Sequence, residues 1–514
     1  MQKNYFNSLI GYKAIKEEIY RIIDQLVNPN KYANFGIKEP HGLLLYGAPG
    51  VGKTTLANCV LEASGRKTFV CRKDVGNNYF PLEISNIFDE AERFAPSIIL
   101  LEDMDKYANE DRFRKDAEEY VTIQACIDRV KDKQVFVVAT VNDIKKLPDS
   151  LIRAGRFDHV LEMKCPTGKD AEEIILYYLK QKLYVGELNV KLIARLLEGR
   201  SCAELENVIN QAATYAAFEE SNQVEMKHMV KAILRIVFNA PESFEQNAKA
   251  LPLVACHEAG HALVAELLEP GSVNLVTVLN HESSAGGLTS VSKDECYVCH
   301  KDLMEYRVMH LLAGKAATEI CYGTVDMGAK ADLSRAYSIV YRFTDEYCSE
   351  GFNKFIHGGH PSNELLTRRD DYVAKEMDKY YEKTKKLILD NRHKLDVLIS
   401  SLMENKTLLG DQVQGIIKNT KEAEKEVVKF KNLEELAETL GLHRGPDKRC
   451  ALKQFTKSLD FIKQAKEFKM ADIQRYLKCG YGTACKVVDA LCSLWIIEKD
   501  ASSSPCKYIK LIEE

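Results

Sequence analysis

GLLLYGAPGVGKTTLANCV, residues 42–60, decides the architecture of the N-terminal part of the chain. It opens with a short apolar run and closes with a helix-forming one. Between them Gly47-Ala48-Pro49-Gly50-Val51-Gly52-Lys53-Thr54 fills the pattern GxxxxGK[ST] completely. In that strand-to-helix setting, glycines let backbone N–H groups turn inward and cradle phosphates at a helix N-terminus. Lys53 is expected at the β- and γ-phosphates of ATP and Thr54 on Mg2+. A Gly-rich turn with an incidental lysine is the competing reading, and it leaves the full match in its proper context unexplained.

Working outward, KTFVC (67–71), SIILLED (97–103) and QVFVVATVN (134–142) alternate with helical stretches. Short, partly β-branched apolar runs of this kind predict an α/β fold whose parallel sheet is covered on both faces. The second run delivers Glu102 and Asp103 at a strand end, where Mg2+ chemistry needs carboxylates. The third ends at Asn142, suited to orienting an attacking water. LIRAGRFD (151–158) then sets Arg153 and Arg156 three apart, as arginine fingers acting on a neighbour's nucleotide. Strand ends often carry Asp and Asn simply as turn residues. Their order after a phosphate loop gives these positions weight.

A second motif stands at residues 255–266, ACHEAGHALVAE. His257 and His261 are one helical turn apart on one face and can share one Zn2+. Glu258, rotated off that face, can act as general base. With 12 histidines in 514 residues, HExxH should arise by accident in roughly one such chain in fifty. Two satisfied core histidines is the bland alternative. A catalytic zinc also needs a third protein ligand, which composition does not single out.

Length and composition set the frame. At 514 residues the chain is too long for one core. Apolar content of 46% with 28% charged residues reads as globular, and a net charge of −4 gives no global field for nucleic acid. The N-terminus has no apolar signal region, and no run of about 18 uncharged apolar residues occurs, so neither export nor a membrane span is expected. The fifteen cysteines, an odd number scattered singly, then read as reduced thiols in a cytoplasmic protein. CYVCH (296–300) has haem-attachment spacing but, without an export signal, is expected to be two free thiols.

Taken together, the phosphate loop, PSIILLEDMD, LIRAGRFD, AELENVINQAATYAAF, HEAGH, LLAGKAATEICYG and NRHKLDVLISSLMENKTLLGDQV resemble the FtsH family of ATP-dependent zinc metalloproteases over about residues 5–420. The resemblance implies an AAA+ ATPase with a helical lid, fused to a mostly helical zinc peptidase of the M41 type. It implies a homo-oligomeric ring, a hexamer in the family's usual form, that threads protein substrates into a proteolytic chamber. It points to Asp332, in VDMGAKADLSRAY, as the third zinc ligand. Glu319 falls near an acidic pair of the family, with Thr318 before it, as a possible outer group of the metal site. AGGLTSV (285–291) resembles the strand beside the zinc cleft. Expected domains are 1–165 ATPase, 166–240 lid, 241–425 peptidase, and 426–514 linker with a winged helix.

The chain departs from that family in four ways. It begins directly at the ATPase domain, so a soluble protein is expected. The acidic strand ends Glu102-Asp103 where the family has Asp-Glu, so the shorter Asp103 must position the water, and hydrolysis could be slow. CRKDVGNNYFPLEISN is shorter than the family's pore loop, leaving Tyr79 and Phe80 either to grip substrate or to pack. Finally, MADIQRYLKCGYGTACKVVDALCSLWIIEKDASSSPCKYIKLIEE (470–514) reads as helix, turn, helix and hairpin, a winged helix-turn-helix resembling the DNA-reading domain of FtsK-type translocases. Residues 444–514 carry 14 Lys+Arg against 9 Asp+Glu, a balance of +5. That suits either DNA or an adaptor protein as partner.

Three functions are therefore open. The leading one is an ATP-dependent zinc endopeptidase. The others are a zinc peptidase with an idle motor, and a DNA-associated ATP switch directed by the winged helix.

Overall fold

The computed structural model describes residues 6 and 9–420, except 74–78, 109–116, 154, 183–186, 241–249, 280–285, 293–300, 325–326, 346 and 348–361. It also describes 457–458, 461, 467–478, 484, 487–488, 491, 497–500 and 507–510. CYVCH, and the expected recognition residues Tyr481, Thr483 and Lys486, lie outside the described residues. The chain divides into two compact units, residues 1–422 and 423–514.

The first unit opens with α1 (Lys13–Val27) and α2 (Pro29–Ala33). A five-stranded sheet follows, made of β1 (Gly42–Tyr46), β2 (Lys67–Cys71), β3 (Ser97–Leu101), β4 (Val135–Val141) and β5 (His159–Glu162). The order is β2-β3-β4-β1-β5, and every pairing is parallel. Period-2 geometry sorts the side chains. Leu43, Leu45, Ile98, Leu100, Phe136 and Val138 join one core, and Leu44, Ile99, Leu101, Val137 and Ala139 join the other. The first core includes Leu56 and Val60 of α3 (Lys53–Ser64). The second includes Phe88 of α4 (Phe80–Arg93) and Ile123 of α5 (Glu118–Val130). Both faces are thus covered, as the apolar runs predicted.

Four helices follow the sheet, in the stretch where the sequence places a lid: α6 (Gly168–Lys180), α7 (Val190–Leu196), α8 (Cys202–Phe218) and α9 (Met226–Ile236). Ser201 and Glu204 close a reciprocal capping box at the start of α8, satisfying two otherwise orphaned N–H groups. This places the helix end against the phosphate loop, where Ala203 N–H donates to the Gly50 carbonyl at 3.1 Å.

The rest of this unit is built on α10 (Leu251–Leu268). Among the described residues it is the one helix long and apolar enough to cross a membrane by length and composition, and here it is a core helix, buried over most of its length. Around it lie α11 (Lys301–Tyr322), α12 (Lys330–Asp345), α13 (Asn363–Asp390), α14 (Arg392–Asn405) and α15 (Gly410–Asn419). Gly260 is required where α10 meets α11, since a Cβ there would lie 2.6 Å from Ala317 Cβ and 2.7 Å from the Ala313 carbonyl oxygen. A small antiparallel sheet, β6 (Val273–Thr277), β7 (Leu288–Val291) and β8 (Thr407–Leu409), is ordered β7-β6-β8, so β7 is an edge strand.

In the second unit, β9 (Glu467–Lys469), β10 (Ile497–Asp500) and β11 (Lys507–Lys510) form an antiparallel sheet ordered β10-β11-β9, with α16 (Met470–Leu477) following β9. The β10–β11 hairpin runs from the Ile497–Lys510 pair to the Asp500–Lys507 pair, near the C-terminal end where the sequence places a hairpin. Ile473, Leu477, Val487, Val488 and Leu491 are buried, whereas Tyr476, expected from the sequence on the same face as Ile473 and Leu477, is 45% exposed.

Candidate nucleotide and metal sites

The phosphate loop joins β1 to α3. Gly47, Gly50 and Gly52 have φ of 149°, 77° and 99°, a region that side-chain-bearing residues rarely occupy. Ala48 and Pro49 are exposed, Val51 is buried behind the loop and Thr54 is exposed on the first turn of α3. The Lys53 ammonium is buried in the loop and donates to the Gly47 and Ala48 carbonyls and to Asn142 Oδ1, each at 2.9 Å. Desolvation pushes its pKa down, and the nearby Asp103 and Asp105 oppose that.

The acidic strand end divides into unequal parts. Glu102 is largely covered and lies 3.7 Å from Arg72. Asp103 adopts a left-handed conformation, with φ 51° and ψ 47°. Its N–H donates to Thr140 Oγ1 at 3.0 Å, and its carboxylate pairs with Lys106 at 2.6 Å. Asp105, which the sequence reading passed over, is buried, and its Oδ1 accepts the Asn142 N–H at 3.1 Å. It therefore steadies the very residue that meets Lys53. Its signal was its place two residues beyond the strand-end pair, where a carboxylate can reach the end of β4.

The two arginines are held differently. Arg156 makes a two-pronged pair with Asp128 in the same chain, at 3.0 and 2.7 Å, and donates to the Ser150 carbonyl at 2.6 Å. Arg153 is exposed. The aromatic pair also divides. Phe80 is fully buried and edge-on to Tyr107, with ring centroids 4.9 Å apart, so it packs, whereas Tyr79 is 76% exposed.

The metal residues converge. His257 and His261 on α10 and Asp332 in the first turn of α12 present ligand atoms all within 4.8 Å of one another. The two Nε2 atoms are 3.0 Å apart, and each is 3.5 Å from Asp332 Oδ2. His261 Nδ1–H donates to the His310 carbonyl at 2.7 Å, a contact that leaves Nε2 as the metal-facing nitrogen. Gly314 of α11 completes the cradle, because a Cβ there would lie 2.5 Å from both Nε2 atoms. Two nitrogens, one carboxylate oxygen and this reserved space fit a zinc ion. Burial opposes ionisation of Asp332, but hydrogen bonds to both imidazoles hold its carboxyl well below the usual range.

Glu258 is buried beside this cluster, and burial pushes its pKa up. Thr289 of β7 donates to Glu258 Oε2 at 2.7 Å. His310 is half-buried, and its ring Nδ1–H donates to the His261 carbonyl at 3.1 Å. Burial, with the charge of His261, lowers its pKa to about 3, so it is neutral. The sequence reading did not single out His310 or Thr289, since both act across tertiary contacts. Glu319 does not stand behind the metal residues. It faces α13, where it accepts from Lys385 at 3.0 Å and from Tyr381 Oη, and pairs with Lys315 at 3.3 Å.

Comparison with known proteins follows the same division. Residues 43–165 match the ATPase family associated with various cellular activities (AAA), residues 187–231 the AAA+ lid domain, and residues 245–416 Peptidase family M41. The ATP-dependent zinc metalloprotease FtsH of Mycoplasma mobile is 29% identical over 472 residues, covering 84% of this chain and 66% of that protein. The protein of the same name from Thermus thermophilus is 28% identical over 441 residues, covering 80% and 70%. The Helicobacter pylori protein is 26% identical over 446 residues, also covering 80% and 70%. The chain thus spans about two thirds of the length of such relatives. With an AAA ATPase, its lid and an M41 peptidase in sequence, the chain belongs to the FtsH family of AAA+ zinc metalloproteases.

Proposed function

We propose that this chain is an ATP-dependent zinc metalloendopeptidase that unfolds and degrades protein substrates. The observation that carries the reading is the convergence of His257, His261 and Asp332 around the space kept by Gly314, in the compact unit that also holds the phosphate loop. When bound, zinc supplies Lewis acidity to water and to the scissile carbonyl. Glu258 takes the proton of the attacking water. Its buried setting, which favours the protonated form, suits it to pass that proton on to the leaving amine. In the nucleotide site Gly47–Thr54 bind the phosphates of ATP, Thr54 and Glu102 hold Mg2+, and Asp103 and Asn142 orient water. The chain acts as a homo-oligomeric ring, hexameric by analogy with its family. Arg153, exposed, is the better finger candidate, since Arg156 is engaged by Asp128.

The pairing of Asp103 with Lys106 favours a second reading, a peptidase whose ATP turnover is weak. The sheet and helix of residues 467–510 support a winged-helix docking module for an adaptor or DNA. A cytoplasmic setting suits the seven described cysteines, none of which is in a disulfide.

The test is degradation of one unfolded and one stably folded substrate, with ATP, with a non-hydrolysable analogue, and with Glu258→Gln. Loss of the folded substrate only with hydrolysable ATP and intact Glu258 supports the main reading. Cleavage of the unfolded one alone, with either nucleotide, supports the second. Cleavage of neither by zinc-loaded protein overturns both.

A further inference from the structure

The Glu258 carboxylate has two oxygens, and a general base uses one. Thr289 Oγ1 lies 2.7 Å from Oε2 and 3.2 Å from the Glu258 backbone carbonyl oxygen. A hydroxyl has one proton to give, and the shorter contact, to the carboxylate, is the stronger acceptor. The strand bearing it is fixed close to the glutamate. A Cβ on Gly287, two residues before Thr289 on the same side of the strand, would lie 2.6 Å from Glu258 Cγ and 2.3 Å from the Thr277 carbonyl oxygen. Gly287 and Thr289 thus form a wall that the side chain leans on, with the hydroxyl as its polar point. β7 is in turn held by its pairing with β6, from Val276–Thr289 to Thr277–Leu288.

We infer that Thr289 is a positioning residue for peptide hydrolysis: its hydroxyl holds Glu258 Oε2 and leaves Oε1 as the atom that receives the proton of the attacking water. The inference rests on Glu258 being the base. The balance is simple. Water's O–H bond breaks, the proton passes to Oε1, and the water oxygen bonds to the scissile carbon as the carbonyl π pair moves onto its oxygen. That pair then re-forms the carbonyl, the C–N bond breaks, and the amine leaves with the proton from Oε1. The Thr289 proton stays on Oγ1 throughout. With the hydroxyl removed, Oε2 loses its donor and the carboxylate can rotate about its last bond, so the base spends less time aligned. Substrate contacts are untouched, so the effect falls on kcat rather than KM.

The experiment uses the full chain, zinc-loaded, cleaving an unstructured fluorogenic peptide. The variants are Thr289→Val, which keeps shape and removes the hydroxyl, Thr289→Ser, which keeps the hydroxyl, and Glu258→Gln. Zinc affinity by chelator competition and thermal midpoint are measured beside activity. The expected result for Thr289→Val is a kcat lower by roughly 10- to 100-fold, the cost of a misplaced catalytic group, with KM and zinc affinity within about twofold. Thr289→Ser should stay within about threefold of the parent. Full kcat in Thr289→Val, with Glu258→Gln inactive, overturns this inference and leaves the base assignment standing. An active Glu258→Gln overturns the base assignment itself. Equal losses in Val and Ser, or a matching fall in zinc affinity, would make Thr289 a packing residue and overturn the inference as well.

Discussion

The nucleotide site and the metal site differ in what holds them in place. The first is mostly backbone: three glycines at positive φ shape an exposed loop, and its side chains arrive at strand ends. The second is all side chain, buried between helices, with Asp332 brought in by α12 and space kept by Gly314 on α11. A backbone site tolerates change around it as long as the loop closes. A site assembled from packed helices depends on the distance between their axes. The two should therefore fail independently and to different degrees.

Gly314→Ala should show the largest effect. The added methyl falls 2.5 Å from both Nε2 atoms, so either the imidazoles swing off the shared metal position or the packed helices part. Peptide cleavage should fall by about 10²–10⁴-fold, the scale of losing a catalytic group outright, together with zinc retention in dialysis. ATPase activity should persist. If ATP turnover fell equally, the sites would not be separable. Lys53→Ala is the converse. It removes the cation from the phosphate loop and should reduce ATP hydrolysis by about 10²–10³-fold, while an unstructured peptide is still cut by zinc-loaded protein. Loss of peptide cleavage as well would mean that nucleotide controls the metal site.

Legibility followed the same division. The phosphate loop, the parallel sheet and both histidines could be read from contiguous residues, because a glycine pattern or a one-turn spacing is local. Asp332 was reachable only through family resemblance, since nothing local separates it from any other acidic residue at a helix start. Thr289, His310 and Asp105 gave less still. Each acts through a contact fixed by packing: strand β7 against α10, α11 against α10, and the residues after β3 against the end of β4. The position expected for Glu319 failed for the same reason. Its place in sequence is close to the metal helix, but helical rotation turns it toward α13.

Asp103→Glu offers a smaller and more discriminating effect within the nucleotide site. The aspartate is short and its carboxylate is drawn to Lys106 at 2.6 Å. A glutamate is longer by one methylene and can reach past that pair toward the phosphates. ATP turnover should rise by about tenfold if placement limits it, with ATP affinity unchanged. No rise, measured in the oligomer under saturating ATP, would mean that the local backbone already compensates for the short side chain.

The smallest effect concerns the framework of the metal site. Hydrogen bonds from Tyr381 and then Lys385 lower the Glu319 pKa to about 2, against an ordinary 4.5. A depressed carboxyl pKa contributes stability that is fully present above the ordinary value and is lost as pH falls through the folded one. The tie between α11 and α13 should therefore hold at neutral pH and weaken between about pH 4.5 and pH 2. Glu319 is about one-third exposed, so solvent screens the pair and the contribution is modest. Tyr381→Phe removes the leading donor. Its deficit in thermal midpoint relative to the parent should be visible at pH 6 and shrink as pH approaches 3, where the parent too begins to lose the tie. A deficit constant across that range would mean that the tyrosine hydroxyl stabilises α11 and α13 without acting through the charge on Glu319. The comparison would sharpen accordingly, because α11 carries Gly314 as well as Glu319: an acid-sensitive tie places part of the metal cradle's support on a surface ion pair, whereas a constant deficit places it in packing alone.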